Sequence, residues 1–198
     1  VIFRLSVDEA TVQPIPYEVI LYGRDEGEKI GAVPLDELEN VCNRFDRVLI
    51  ETDGARSLPL KFHTERDPVI PHFCTLSISV CGLSALGKAL NEQVMYAYER
   101  YRLLTCDQSS VVDIKTYRHV FDHPEGMFKR IPYTMKTLAL LNQSDMVDKK
   151  LLHAVIETLL DSWKGRSYSL MCGSWKDNKL EISQEIKDGR STMYDTYI

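Results

Sequence analysis

The sequence predicts an α/β fold with a mostly parallel sheet flanked by helices. Several short apolar runs alternate with segments of helical period, which is the pattern of βαβ units. A chain of 198 residues suits one buried core, so we expect a single domain over residues 1–198. The 44% hydrophobic and 27% charged residues are ordinary globular values, which excludes a disordered or fibrous protein.

The elements of the first half follow from short local patterns. We predict a strand at Val19–Leu21, a helix capped by Asp36, a strand at Arg47–Glu51 that ends in a turn at Gly54, and loop or extended chain over residues 55–72. Three prolines interrupt any regular period in that last stretch.

The second half has stronger patterns. We predict strands at Thr75–Val80, Lys136–Leu141 and Tyr168–Cys172, helices over residues 91–106 and 112–121, and a helix starting at Asp148. This last helix is the clearest, because its apolar residues from Leu151 to Trp163 fall on one stripe. The polar residues 181–198 are expected to form a peripheral tail or an exchanged arm.

Charge and cysteine usage limit the partners and the compartment. The net charge is −5 and no stretch concentrates Lys and Arg, so we expect no nucleic-acid binding. No apolar run approaches the ~20 residues that a transmembrane helix needs, and no export signal is visible, so we expect no membrane association. Five widely spaced cysteines without a CxxC pair indicate reduced thiols in the cytoplasm.

The first candidate site follows the predicted strand at residues 47–51. Glu51-Thr-Asp53-Gly54-Ala-Arg56 places two acids and a glycine at the end where open α/β sheets bind ligands. An acid there can hold Mg²⁺, and the glycine lets its backbone N–H approach a phosphate. The alternative is a capped turn with solvated acids, and the residues alone leave both open.

The second candidate follows the strand at residues 136–141. Asn142-Gln143-Ser144-Asp145 approximates the Asn-Lys-x-Asp pattern in which the carboxylate accepts hydrogen bonds from guanine. Gln143 replaces the lysine whose aliphatic stem covers the base, which weakens a preference for guanine. Asn142 and Asp145 could equally turn the chain and cap the next helix, and the motif alone favours that structural role.

Other residues imitate sites without matching them. Gly82-Leu-Ser-Ala-Leu-Gly87-Lys88-Ala89 resembles a phosphate loop, but alanine stands where a Mg²⁺-ligating hydroxyl is needed, so we interpret it as a turn and helix start. His63 and His72 match no zinc spacing, and His119 and His123 lack the glutamate of an HExxH motif. These histidines are left unassigned.

The string Glu51-Thr-Asp-Gly-Ala-Arg-Ser-Leu-Pro-Leu-Lys61, with Asp67-Pro-Val-Ile-Pro71 after it, resembles the YqeC family, accessory proteins of selenium-dependent molybdenum hydroxylases. Tyr22-Gly-Arg24, Gly82–Lys88, His123-Pro-Glu-Gly126 and Leu141–Asp145 match in the same order, so the resemblance spans about residues 17–175. It implies a three-layer fold like that of P-loop nucleoside triphosphatases and a cytoplasmic maturation factor for a molybdenum or selenium hydroxylase or its cofactor-assembly proteins.

The resemblance also implies roles for individual residues. Glu51 and Asp53 would be catalytic and hold Mg²⁺, with Gly54 beside the terminal phosphate of GTP or ATP. Arg56 and Lys61 would be free to meet phosphate or a partner. Asn142 and Asp145 would face the base. Slow, GTPase-like hydrolysis is the implied chemistry, and oligomerisation with further copies of the chain stays open.

The resemblance has one departure. Family members open with a glycine-rich GxGGKT segment, whereas this chain begins at Val1 without one or an initiator Met. The missing Met favours loss of an amino-terminal segment over a homologue that has abandoned phosphate binding. Without the loop's donors, nucleotide affinity should fall. The alternative function is therefore a non-catalytic scaffold that docks a partner enzyme through the Pro59–Pro71 loop; a small-molecule kinase is a third, weaker alternative.

Overall fold

The computed structural model describes residues 2–6, 18–27, 30–163, 168–176, 179–187, 190–192 and 196–197. The chain forms two compact units, Val1–Glu51 and Thr52–Ile198. Among the described residues, no helix is long and apolar enough to cross a membrane. None of the five cysteines forms a disulfide bond, and Cys81 and Cys172 are buried.

The first unit contains short strands and one helix. Strand β1 (Ile2–Ser6) pairs in parallel with β2 (Glu18–Tyr22), and β3 (Arg24–Asp25) pairs antiparallel with β4 (Ile30–Gly31). Helix α1 spans Leu35–Cys42 and starts after Pro34, two residues before the predicted Asp36 cap. The predicted strand at Val19–Leu21 is confirmed as part of β2.

The predicted strand at residues 47–51 is wrong. These residues have no regular structure, and the side chain of Leu49 is 94% exposed. An apolar run becomes a strand only when a neighbouring strand supplies hydrogen-bond partners, and no described strand pairs with this run. Glu51 therefore does not stand at the carboxyl end of a buried strand.

The second unit is built on a mixed sheet. The first two strands of this unit are β5 (Leu60–Lys61) and β6 (Leu76–Gly82). The short β5 lies outside the mixed sheet. The remaining elements are β7 (Met95–Tyr96), α2 (Tyr98–Thr105), α3 (Ile114–Asp122), β8 (Lys136–Asn142), α4 (Lys149–Ser162), β9 (Tyr168–Lys176), β10 (Lys179–Lys187), β11 (Arg190–Thr192) and β12 (Thr196–Tyr197).

The sheet has a parallel half and an antiparallel half. Its strand order is β11-β10-β9-β8-β6, with β12 also on β10. Strands β6, β8 and β9 run parallel, whereas β10 to β12 extend the sheet antiparallel from the segment predicted to be a polar tail. Parallel strands flanked by helices confirm the α/β fold class.

The two faces of the parallel strands differ in burial. Cys81, Ala139 and Leu141 point into the core formed with α3 and α4, and each is at most 1% exposed. On the other face of edge strand β6, Leu76, Ile78 and Val80 are about half exposed. Aromatic contacts among Phe121, Phe128, Trp163 and Tyr168 close the core beside the helices.

The helix predicted to start at Asp148 is confirmed, and the helix predicted over residues 91–106 is only partly right. Asp148 caps α4 by accepting a hydrogen bond from the N–H of Lys150, and Asp113 forms a capping box with Thr116 at the start of α3. The helix predicted over residues 91–106 begins only at Tyr98. Residues 95–96 instead form β7, which pairs in parallel with β5.

Candidate functional site

Strand β5 brings together the best-formed cluster of polar groups in the second unit. Its backbone is fixed by the N–H groups of Leu60 and Phe62, which donate to the carbonyls of Val94 and Tyr96. Leu60 and Phe62 are fully buried in the core. Because side chains alternate along a strand, Lys61 and His63 share the opposite side, where they meet Asp53 and Asp67.

Lys61 is the centre of this cluster. Its Nζ contacts Asp53 Oδ2, lies 3.3 Å from Asp67 Oδ2 and donates to the carbonyl of Gly54 at 2.7 Å. The ring centroid of Tyr96 lies 4.8 Å from the same nitrogen. The side chain is only 5% exposed, so the charge is stabilised by these partners rather than by water.

His63 completes the cluster from the same strand. Its Nδ1 lies 2.9 Å from Asp53 Oδ2 and 3.7 Å from Asp67 Oδ2, and its side chain is 6% exposed. Burial lowers the pKa of His63, and the hydrogen bond to Asp53 opposes this shift without reversing it. The imidazole is therefore neutral at neutral pH.

The two carboxyl groups are driven in opposite directions. Burial raises the pKa of Asp53, with Lys61 opposing the shift and Asp67 adding to it. Burial would also raise the pKa of Asp67, but hydrogen bonds with Thr64, Asp53 and Lys61 hold it well below its ordinary value. Lys61 is the cation that faces both carboxyl groups.

The cluster has the ligand types of a cation site. One ligand atom each from Asp53, His63 and Asp67 lies within 4.8 Å of the others. Carboxylate oxygens are the ligands that Mg²⁺ prefers, and an imidazole suits transition metals. Lys61 contacts the same oxygens, so a divalent cation and this ammonium compete for one position.

The residues predicted around Asp53 have distinct positions. Gly54 contributes its carbonyl to Lys61, and the exposed Arg56 lies with its guanidinium 5.2 Å from the Tyr96 ring centroid. Lys61 is buried and ion-paired in the structure, and its contact with a phosphate or a partner stays a prediction. Glu51 is the exposed last residue of the first unit and is not among the residues of the cluster.

The second predicted site lies at the carboxyl end of β8. Asn142 accepts a hydrogen bond from the N–H of Gln143, and Asp145 accepts one from the hydroxyl of Ser174 on β9. Gln143 has the left-handed backbone conformation (φ 64°). Asp145 is exposed at this end of the sheet, within reach of a ligand.

Gly82 lies between segments of the two predicted sites. It pairs with Asn142 across β6 and β8, and its N–H donates to the carbonyl of Pro59 at 2.7 Å. A Cβ at this glycine would lie 2.6 Å from Gln143 Oε1 and 2.9 Å from Pro59 Cβ. The segment that leads from Gly54 to Lys61 and the segment after β8 therefore meet at the same end of the sheet.

The predictions from the sequence missed two members of the cluster. His63 was left unassigned and Asp67 was noticed only as part of a matching string; the usable signal was the i, i+2 spacing of Lys61 and His63 in an extended segment. Leu83 and Ala85 are fully buried, which confirms their packing role in the imitation phosphate loop. A short 3-10 turn follows there instead of the predicted helix start.

The chain is an α/β protein with parallel strands and flanking helices. The cluster of Lys61, His63 and the two acids beside β5 is its candidate ligand site. The family model described as YqeC protein matches residues 6–99. The chain is 27% identical over 133 residues to the uncharacterized protein YqeC of Escherichia coli (strain K12), an alignment that covers 66% of this chain and 52% of that protein. No solved structure matches the chain.

Both matches support the interpretation of the chain as a member of the YqeC family. The matched residues include the whole Asp53–Lys61–His63–Asp67 cluster, whereas β8 and its Asn142–Asp145 segment follow the region that the family model covers. The chain spans about half the length of the curated relative it matches.

Proposed function

We propose that this chain is an accessory protein for the maturation of a selenium- or molybdenum-dependent hydroxylase, and that it binds a nucleoside triphosphate with Mg²⁺ and hydrolyses it slowly. Family membership supports the general role. The nucleotide, either GTP or ATP, would lie across the end of the sheet at β6 and β8, where open α/β sheets bind ligands.

The observation that carries this proposal is the position of Gly82 between the two predicted sites. Pro59 and Gln143 both lie against it, so the Asp53–Lys61 segment and the Asn142–Asp145 segment approach one end of the sheet. One group of side chains suits phosphates and a cation, and the other suits a base. A nucleotide has these two chemistries at its two ends.

The residues have separate roles in the proposed complex. Asp53 and Asp67 would hold Mg²⁺. Mg²⁺ would neutralise charge on the terminal phosphates. Lys61, displaced from the carboxylates, and Arg56 would then face the phosphates, while Gly54 would offer its N–H and Asn142 and Asp145 would accept from the base.

Calorimetric titration of the full-length gene product with GTP and with ATP, each with Mg²⁺, tests the proposal. We expect Mg²⁺-dependent binding that Asp53→Asn and Asp145→Ala each weaken by at least about tenfold, since each removes a charge-assisted contact. Glu157→Gln on the exposed side of α4 is the matched control and should bind like the wild type. Absence of Mg²⁺-dependent binding, or equal binding in all variants, would refute nucleotide binding.

The second candidate function is a scaffold that docks the hydroxylase through the Pro59–Pro71 loop. Hydrogen bonds to the backbone of this loop support the scaffold function. Lys129 donates to the carbonyl of Thr64, and Arg130 donates to those of Glu65, Arg66 and Pro68. Held by its backbone, the loop presents the exposed Arg66 and the 55% exposed Val69 outward.

Pull-down of a purified hydroxylase distinguishes the two functions. Capture without nucleotide that Asp145→Ala does not reduce and Val69→Ser abolishes would favour the scaffold. Capture that requires nucleotide and is lost in Asp145→Ala would favour the nucleotide-dependent accessory protein.

A further inference from the structure

A second polar site is a cleft lined by residues from three segments of the chain. It has a volume of about 470 Å³ and is lined by Glu65, Arg100, Pro124, Glu125, Lys129 and Arg130. Apart from Pro124, all of these side chains are charged. An open cleft of this size can accommodate a small molecule, and its lining favours a charged one.

Arg100 on α2 is incompletely satisfied in this cleft. One terminal nitrogen donates to Glu125 at 2.9 Å, and the other lies 3.4 Å from Glu65. Its Nε is buried and has no hydrogen-bond partner among the described residues. A buried N–H without an acceptor costs free energy, so an oxyanion that reached it as the side chains of the cleft adjust would recover part of that cost.

Arg130 is held by its backbone contacts rather than by a carboxylate. Its guanidinium donates to the carbonyls of Glu65, Arg66 and Pro68. These bonds fix the position of the group and leave its full positive charge. A fixed guanidinium recognises phosphate well because little side-chain entropy is lost on binding.

The acids of the cleft do not balance its cations. Three cations, on Arg100, Lys129 and Arg130, face two carboxylates. Glu125 is shared by Arg100 and Lys129, which lie 2.9 Å and 2.8 Å from its Oε2, and these partners lower its pKa. The Glu65 side chain is 83% exposed, and its carboxylate makes a long contact of 3.4 Å with Arg100.

We propose that this cleft binds a small phosphate-bearing molecule, with Arg100 and Arg130 as the binding residues. Phosphate has enough oxygens to accept from the Nε of Arg100 and from a second guanidinium at once. The weakly held Glu65 side chain would move away as the phosphate arrives, while Glu125 stays with Lys129. This site is separate from the nucleotide site proposed above and does not depend on it.

Titration of the protein with inorganic phosphate at constant ionic strength tests this assignment, with the side-chain Nε–H signals of the arginines followed by NMR. The Arg100 signal, identified by its absence in Arg100→Gln, should shift saturably. Arg100→Gln should weaken binding at least about tenfold, because a charge-assisted contact is lost. Glu65→Gln should strengthen it a few-fold, because a competing carboxylate is removed.

Two controls make the result decisive. Arg118→Gln removes an arginine that is 58% exposed on α3, and it should bind phosphate like the wild type. Malonate should bind more weakly than phosphate. The proposal is overturned if phosphate does not bind saturably, if Arg100→Gln binds as well as the wild type, if Glu65→Gln does not bind more tightly, or if malonate or an acidic peptide binds in preference to phosphate.

Discussion

The ammonium of Lys61 lies 3.3 Å from the Asp67 carboxylate inside a cluster that water hardly reaches. The two residues are brought together by the extended β5 strand, which turns Lys61 away from the core and toward the loop that carries Asp67. The arrangement makes Lys61 an internal counterion for the acids of the candidate site.

Replacing Lys61 should destabilise the protein strongly. Lys61→Met leaves Asp53 and Asp67 close together without their cation, and breaking a buried ion pair in this way costs about 3–5 kcal/mol of unfolding free energy. Urea denaturation measures this value. Lys88→Met, at an exposed position, is the control and should change it by less than about 0.5 kcal/mol. A similarly small effect at Lys61 would contradict the buried ion network.

A divalent cation should substitute for the missing ammonium. In Lys61→Met, Asp53, His63 and Asp67 keep their ligand atoms within reach of one ion, and Mn²⁺ accepts carboxylate and imidazole ligands. We expect Mn²⁺ to raise the melting temperature of Lys61→Met more than that of the wild type, where Lys61 competes. The gain should vanish in Lys61→Met/Asp53→Asn. Equal stabilisation of all three proteins would contradict competition for one position.

Acid should remove stability that Asp107 contributes. Burial would raise the pKa of Asp107, but hydrogen bonds from Tyr101 and Ser109 lower it to about 2. A carboxyl with a depressed folded-state pKa stabilises fully above its unfolded pKa, near 3.8, and loses this contribution as the pH falls toward 2.

Asp107→Asn should lower the free energy of unfolding by about 2 kcal/mol at neutral pH, because each unit of pKa shift corresponds to about 1.4 kcal/mol. Denaturant titrations between neutral pH and the acid limb should show a smaller pH dependence for the variant. Asp148→Asn, at the exposed start of α4, is the control, because asparagine can also cap a helix. An unchanged acid limb in Asp107→Asn would contradict the assignment.

The two faces of the parallel strands should respond differently to truncation. Leu141→Ala opens a cavity in the buried face and should cost about 2–5 kcal/mol of unfolding free energy. Val80→Ala, at a side chain 51% exposed on the other face, should cost less than about 1 kcal/mol. Chemical denaturation of both variants checks the difference. Comparable costs would mean that the outer face is packed against something in solution.

Local patterns predicted the elements that local forces determine. Strands β6 and β8 and helix α4 were predicted because their periodicity and the Asp148 cap lie within each segment. The run at residues 47–51 was wrong because strand formation depends on a partner that the sequence does not reveal. The start of α2 was misplaced because Met95 and Tyr96 pair with β5, a contact that no helix pattern contains.

The candidate site divides in the same way. Asp53 was predicted from its acid-and-glycine surroundings, and Asn142 and Asp145 from their position after an apolar run. His63 and Asp67 were not assigned, because their proximity to Asp53 results from how the Pro59–Pro71 loop folds back along β5. The cleft at Arg100 joins three distant segments, so no local motif could have indicated it.

In the proposed complex, the Gly54 segment and the Asp145 segment contact one nucleotide. Paramagnetic broadening of backbone amide signals by bound Mn²⁺–GTP or Mn²⁺–ATP in the full-length protein tests it most directly. We predict severe broadening at Gly54 and weaker, distance-graded broadening at Asp145, both reversed by excess Mg²⁺–nucleotide. Absence of broadening at both segments would contradict a single ligand that spans them. Broadening at one segment, with no shift of the other segment's signals on nucleotide binding, would contradict it as well.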